Sequence, residues 1–465
     1  MNDTATEKIS NPSWKKLRLF SITWPILADS VLHMMLGTSD VFMLSRISDE
    51  TAGAVGLANE MIIFCIIMFG FVGIGTSVAV SQYLGAGQSK TASRISALAI
   101  TLNLIFGVIV SLLLLGLGSQ WMKWLNVSPA QADIVHTYLR LIGGFIWLEA
   151  LSYAISSIIR ANGHTRDVML VTLGVNILHV AGNLVLIFGY LGFPELGVTG
   201  AAVSAVISRA VGVAVLFFLL YRRIASPIRL RDYISFDKLH MKQILGVGLP
   251  AAGEHLAWQS QLMMVLSFIN LIGQQALSAH IYVYNISAYY MALPTAIGLG
   301  TEIIIGHMVG ARETQLAYHR LIRSLRIGLV LTFVLVGTAA LFRHQLIGLF
   351  TDNTEIIAIG SSILLLSMIL EPGRVFNVIV INSLRAAGDA RFPVLMGVFS
   401  MWGVCVPLAY WLGVHLHVGL LGVWIAFTVD EWLRGLFMLF RWKSRVWVKK
   451  SLVTSPTHLH ESQAI

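Results

Sequence analysis

Two carboxylates stand inside the first long apolar run of the chain. Residues 22–44 are apolar and long enough to cross a bilayer, yet they hold Asp29 and Asp40. At about 100° per residue, Asp29, His33, Leu36 and Asp40 share one narrow stripe of a helix. A carboxylate facing lipid costs about 3 kcal/mol or more, so the stripe should face a cavity or another helix. In low dielectric a carboxylate favours its protonated form. Such a group takes a proton when its cavity is wet and releases it when its surroundings turn polar or cationic. That is the minimal chemistry for coupling a proton gradient to a conformational change. An alkali ion held by carboxylate and carbonyl oxygens can do the same. The competing reading makes Asp40 a residue that only closes a helix near the outer interface.

Further polar groups interrupt the apolar runs that follow. Glu60, Glu149, Glu254, Glu302 and Glu371 are each either a functional acid or a hydrogen-bonded packing group, and Glu149 has Arg140 or Arg374 as candidate partners. Glu254 is followed by His255, Gln259 and Gln261, and another run offers Asn176, His179 and Asn183. Unpaired amides in hydrocarbon are costly, so these stretches should turn inward. Tyr282, Tyr284, Tyr289, Tyr290 and Met291 crowd one region. Aromatic faces beside a carboxylate suit a flat cationic or amphipathic ligand; ordinary packing competes. The candidate cavity set is therefore Asp29, His33, Glu254, His255, Gln259, Tyr284, Tyr289 and Met291. Trp121, Trp124, Trp411, Trp442 and Trp447 read as interface anchors.

Enzyme chemistry finds no support. There is no P-loop, and the glycines at 73–75 and 298–300 follow no strand. His415 and His417 are too few for a metal site, and Cys65 and Cys405 both sit inside apolar runs. No cofactor, catalytic residue or resident metal is expected.

The elements that must carry these groups are transmembrane helices. The 465 residues are 56% hydrophobic and 12% charged, against about 25% charged in soluble domains. Mean hydropathy is +0.76. Apolar periodicity predicts an all-alpha polytopic membrane protein with twelve helices: 17–44, 53–80, 93–118, 134–159, 167–191, 199–221, 240–269, 275–305, 316–341, 355–382, 391–414 and 418–441. The polar N-terminus leads into a span too long for a cleaved signal. Counting the helix ends with the loops they border, 24 Lys and Arg residues lie in the two tails and the loops after even-numbered helices, and 3 in the loops after odd-numbered ones. The positive-inside rule then places both termini in the cytoplasm, as an even helix count requires. The net charge of +9 follows this topology, so no nucleic-acid partner is expected.

A shift of 225 residues superimposes the two halves of the sequence. It sets Pro25 on Pro250 and Asp29 on Glu254. It also sets Gly75, Gly85 and Arg160 on Gly300, Gly310 and Arg385. The expected organisation is a tail (1–16), an N-lobe (17–221), a cytoplasmic linker (222–239), a C-lobe (240–441) and a second tail (442–465). Six helices per half make the repeats parallel, with their pseudo-axis along the membrane normal. Asp29 and Glu254, each four residues after a helix-bending proline, should face a central cavity from opposite lobes or serve as packing groups.

The chain resembles the multidrug and toxic compound extrusion (MATE) family. Asp40 late in helix 1, Gly197-Val198-Thr199-Gly200 entering helix 6, and Pro250 with Glu254 carry the likeness. Glu371-Pro372-Gly373-Arg374 and Leu384-Arg385-Ala386-Ala387-Gly388-Asp389 extend it. The resemblance implies a bacterial inner-membrane antiporter that works as a monomer, with the bilayer and small cationic or amphipathic molecules as its partners. Such proteins expel their cargo in exchange for protons or sodium ions. Asp40 matches the acid that takes the coupling cation, with Asn176 and Thr199 near it. Val180 stands where some relatives carry a second acid. Trp258 and Gln259, with Arg374 and Asn377, depart from the sodium-coupled pattern, which favours protons over sodium. The alternative within the superfamily is a flippase for a lipid-linked saccharide or similar amphiphile, which would want a more cationic cavity.

Overall fold

The computed structural model describes residues 15, 17–124, 127–224 and 226–453. The expected N-terminal tail apart from Lys15, residues 454–465 and the side chain of Trp124 lie outside them. Among the described residues there is no strand. The N-lobe comprises α1 (Leu19–Ser45), α2 (Asp49–Gly85), α3 (Ser89–Trp124), a broken α4, α5 (Thr165–Phe188) and α6 (Gly197–Arg223). The C-lobe comprises α7 (Lys238–Ile272), α8 (Gln274–Gly310), α9 (Thr314–Leu341), α10 (Thr354–Ala386), α11 (Arg391–His415) and α12 (Leu420–Lys443). The order matches the expected twelve, with ends moved by a few residues. Among the described residues, nine helices and one bent pair are long and apolar enough to span a membrane. The remaining two, α7 and α12, are the more polar ones, holding Glu254, His255, Gln259 and Gln261, and Asp430, Glu431 and Arg434.

Two local expectations are corrected. Helix α4 is not one rod: Pro129–Tyr138 passes into a wide turn at Leu139–Gly143 and resumes at Trp147–Ala161, with a 45° bend. Gly143 and Gly144 mark the break, and the Ser111 hydroxyl of α3 lies 2.7 and 2.6 Å from their carbonyl oxygens. That contact satisfies backbone groups which the bend takes from the helix. Within the linker, Leu230–Ile234 forms a short helix. Trp442 and Trp447 are not interface anchors. Both are fully buried and stacked at 4.1 Å.

The lobes meet along one end of the bundle, the end where α1 begins and α2 finishes. Ile22 and Ile26 of α1 share a buried cluster with Ile303, Ile304 and Ile305 of α8, and Phe71 of α2 packs on Ala251 and Ala252 of α7. Backbone touches backbone here. A Cβ on Gly85 would strike the His307 carbonyl, and one on Gly310 would strike the Gln82 carbonyl. Gly75 and Gly248 stand likewise against Ile244 and Phe71. The shared glycines Gly75, Gly85 and Gly310 are thus seam residues. Farther along the same helices, Phe64, Met263, Ile281 and Tyr289 are exposed, so the lobes part toward the opposite end.

Replacing Gly310 or Gly85 with Val should weaken this closed seam by about 1–3 kcal/mol. Gly116→Val, whose site has nothing within 4 Å, should leave it unchanged. Cross-linking of cysteines placed across the seam measures the difference.

Candidate functional site

A cavity of about 510 Å³ lies within the N-lobe, between α1, α2, α4, α5 and α6. Its polar wall is His33, Asp40, Glu60, Glu149, Arg160, Asn176, His179 and Arg209. Ile62, Ile63, Val171, Val175 and Leu216 supply apolar wall. The volume falls in the range that encloses a drug-sized molecule.

Asp40 is held from α5. His179 Nε2 lies 2.7 Å from Asp40 Oδ1, and Asn183 Nδ2 donates to the same oxygen at 2.8 Å. Behind the ring, Ser208 Oγ is 3.0 Å from the Ala205 carbonyl oxygen and 3.2 Å from His179 Nδ1. Either atom of that last contact can be the donor, according to the tautomer of the ring. A hydrogen on Nε2 or on the carboxyl group completes the 2.7 Å contact, so ring and carboxylate form a pair through which a proton can pass.

Asn176 lines the cavity, but its amide donates to the Leu32 carbonyl of α1 at 2.8 Å and not to Asp40. Thr199, in the first turn of α6, makes no hydrogen bond to Asp40 among the described residues. The side chains that touch Asp40 sit one turn or two farther along α5. His179 and Asn183 were visible as polar residues of that span; the spacing of four between them was the signal.

Asp29 and Glu254 occupy matched places. Asp29 is buried and accepts from Arg160 at 2.6 Å; Glu254 is buried and accepts from Arg385 at 2.6 Å. Each pair joins the first helix of a lobe to the end of its fourth, across 131 residues. Both carboxylates are thus met by an arginine of their own lobe. His33 lines the cavity and lies 3.9 Å from Asp29. Glu149 pairs with Arg209 at 3.2 Å, not with Arg140 or Arg374. Glu60 lines the cavity without an ion pair among the described residues.

The C-lobe candidates are spread out. His255 is half-buried between Phe71 and Trp258, and Gln259 is half-buried one turn on. The tyrosines of α8 point to different neighbours: Tyr282 stacks on Phe350, Tyr284 lies beside His280, and Tyr290 bonds Ser287. Tyr289 is 64% exposed, and Met291 is half-buried. None of these lines the N-lobe cavity.

Inside the C-lobe stands a buried charge network. Arg374 pairs with Glu371 at 2.5 Å and with Glu431 at 3.4 Å. Arg434 pairs with Asp430 at 2.8 Å and Glu431 at 3.0 Å, while Asn377 donates to Glu431 and Ser400 to Asp430. Sequence reading passed over Asp430 and Glu431. Their spacing of four and three to Arg434 inside an apolar span was the available sign.

A MatE family model matches residues 25–185 and 250–411, starting at Pro25 and again at Pro250. An uncharacterized transporter, YisQ of Bacillus subtilis (strain 168), is 40% identical over 444 residues, covering 96% of this chain and 98% of its own. A probable multidrug resistance protein NorM of Thermotoga maritima is 24% identical, covering 94% of each. Among solved structures, an outward-facing multidrug resistance MATE family transporter of the MOP superfamily superimposes with a TM-score of 0.85 at 20% identity, covering 96% of this chain and 98% of that one. The twofold match along the chain, the two six-helix lobes and the near-complete coverage of these relatives agree: the chain belongs to the MatE family and is a membrane transporter, not an enzyme.

Proposed function

We propose that this protein is a proton-coupled antiporter of the bacterial inner membrane that exports cationic or amphipathic small molecules by alternating access. Its basic end, with both termini, faces the cytoplasm. Relatives named for multidrug resistance and the Lys and Arg bias of the loops support the setting.

The observation that carries proton over sodium is the set of atoms around Asp40 Oδ1. They are His179 Nε2 and Asn183 Nδ2, both hydrogen-bonding nitrogens. A hard alkali ion wants oxygen ligands, and an N–H donor repels it. A proton fits the 2.7 Å line between ring and carboxylate without any displacement. Cargo charge follows from the same wall. Arg160 and Arg209 are paired with Asp29 and Glu149, and Asp40 is paired with His179. Glu60 remains, giving the cavity a negative bias that favours cations. The flippase reading lacks support here, because both cavity arginines are already engaged by carboxylates.

Reconstituted vesicles separate these claims. Efflux should follow an imposed pH gradient without sodium, and a strict sodium requirement at fixed pH would overturn the proton reading. Asp40→Asn should abolish gradient-driven transport while the protein still folds. His179→Gln should lower it by more than about tenfold, the scale of one charge-assisted bond.

Glu60→Gln should weaken binding of a monovalent organic cation by about tenfold or more. Binding of an uncharged amphiphile of similar size should be unchanged. Equal loss for both ligands would return Glu60 to a structural role.

A further inference from the structure

We propose that Gln82 and His307 form the latch of the gate at the basic end, and that residues 451–453 of the same chain lock it. This deepens the alternating-access reading given above, on which it rests. Gln82 of α2 and His307 of α8 are buried in the seam, 0% and 2% exposed. Gln82 Nε2 donates to the Ala386 carbonyl at the end of α10, 2.6 Å away. His307 Nε2 donates to the Ala161 carbonyl at the end of α4, 2.8 Å away. Both bonds cross between lobes. Positions 82 and 307 are related by the 225-residue repeat, and so are positions 161 and 386, so the two bonds are one contact made twice.

The acceptors are suited to the task. The last carbonyls of a helix have no partner within it. The two donors satisfy them in a place that excludes water, and separating the lobes strands donor and acceptor together until water enters.

The end of the described chain binds the latch directly. After α12 the chain turns at Arg445 and Trp447 anchors it, stacked on Trp442 and donating to the Trp442 carbonyl at 2.9 Å. Lys450 then passes over Gly388, where φ is +88° and a Cβ would strike its carbonyl. Leu452 N donates to Gln82 Oε1 at 2.8 Å, and Ser451 Oγ donates to the same oxygen at 3.1 Å. The Leu452 carbonyl accepts from Gln243 Nε2 of α7 at 2.7 Å. Leu452 also packs in the cluster formed by Val78 of the N-lobe with Val247 and Ala390 of the C-lobe. The segment leaves the C-lobe and fastens to the N-lobe, so it holds the basic end shut. Opening this end requires its bonds to Gln82 to break.

Distance measurement between spin labels tests this without relying on transport, so it can fail independently of the antiport reading. The labels go on Lys90→Cys and Gln315→Cys, exposed positions just beyond the seam, with Cys65 and Cys405 replaced by Ala. In lipid nanodiscs, a chain ending at Lys450 should raise the long-distance, basic-end-open population at least about tenfold, since it loses three hydrogen bonds and the contacts of a half-buried leucine. A chain ending at Thr454 should match the full chain. Gln82→Asn, which keeps the amide but shortens its reach, should shift the full-length chain in the same direction. An unchanged distribution in both the chain ending at Lys450 and Gln82→Asn overturns the proposal. An equal shift in the chain ending at Thr454 overturns the role of residues 451–453.

Discussion

A charge inside an apolar bundle has to find its partner inside the bundle, and most of this molecule is arranged to meet that demand. Arg160 takes Asp29, Arg385 takes Glu254 and Arg209 takes Glu149. Arg374 and Arg434 bind Glu371, Asp430 and Glu431. Breaking any such pair by removing one side leaves an uncompensated charge at a cost of roughly 3–5 kcal/mol. Helix positions are thereby fixed, and little charge is left free to act. The acids that escape this pairing with arginine in the N-lobe cavity are Asp40, shared with a histidine, and Glu60. A histidine partner differs from an arginine in one respect that matters: it can give its proton up.

Duplication gave two lobes with the same helices, and side chains have since made them unlike. The N-lobe keeps an open volume between α1 and α5. In the C-lobe, Asn377 and Arg374 of α10 meet Glu431 of α12, and the network ties those two helices together. Two sites of the repeat stayed equivalent. They are the ion pairs under Pro25 and Pro250 and the seam contacts around Gln82 and His307, both near the end where the lobes close. The shared parts lie near the contact between the lobes, and the divergent parts surround the N-lobe cavity and form the C-lobe charge network.

The fold was legible because its signals are local and repeated: apolar length, loop charge, and prolines and glycines spaced by 225 residues. Asp40 was legible because an acid in an apolar helix demands an explanation. Its partners were less so. Asn176, His179 and Asn183 lie on one side of α5, and only the roll of α5 against α1 decides which of them reaches Asp40. The bend in α4 needed Ser111, a residue from another helix, to receive the freed carbonyls. Trp442 and Trp447 looked like interface anchors because nothing in sequence announces that the chain turns back and stacks one on the other. The tyrosines of α8 showed the reverse error, since closeness in sequence on a helix sends side chains to different faces.

The cavity and the gate are joined through neighbouring residues, twice. Arg160 holds Asp29 beneath the N-lobe cavity, and the next residue, Ala161, offers the carbonyl that His307 binds from the C-lobe. Arg385 holds Glu254, and Ala386 offers the carbonyl that Gln82 binds from the N-lobe. A peptide plane cannot move independently of the side chain one residue away when both are fixed by short bonds. Asp29 and Asp40 lie on the same helix, within about three turns. Under the proton-coupled reading proposed above, a displacement of α1 at the Asp40–His179 pair would pull on Asp29, through it on Arg160, and so on the acceptor of the His307 bond. Two seam bonds and the two ion pairs beside them thus form a contiguous path from the wall of the N-lobe cavity to the contact between both lobes.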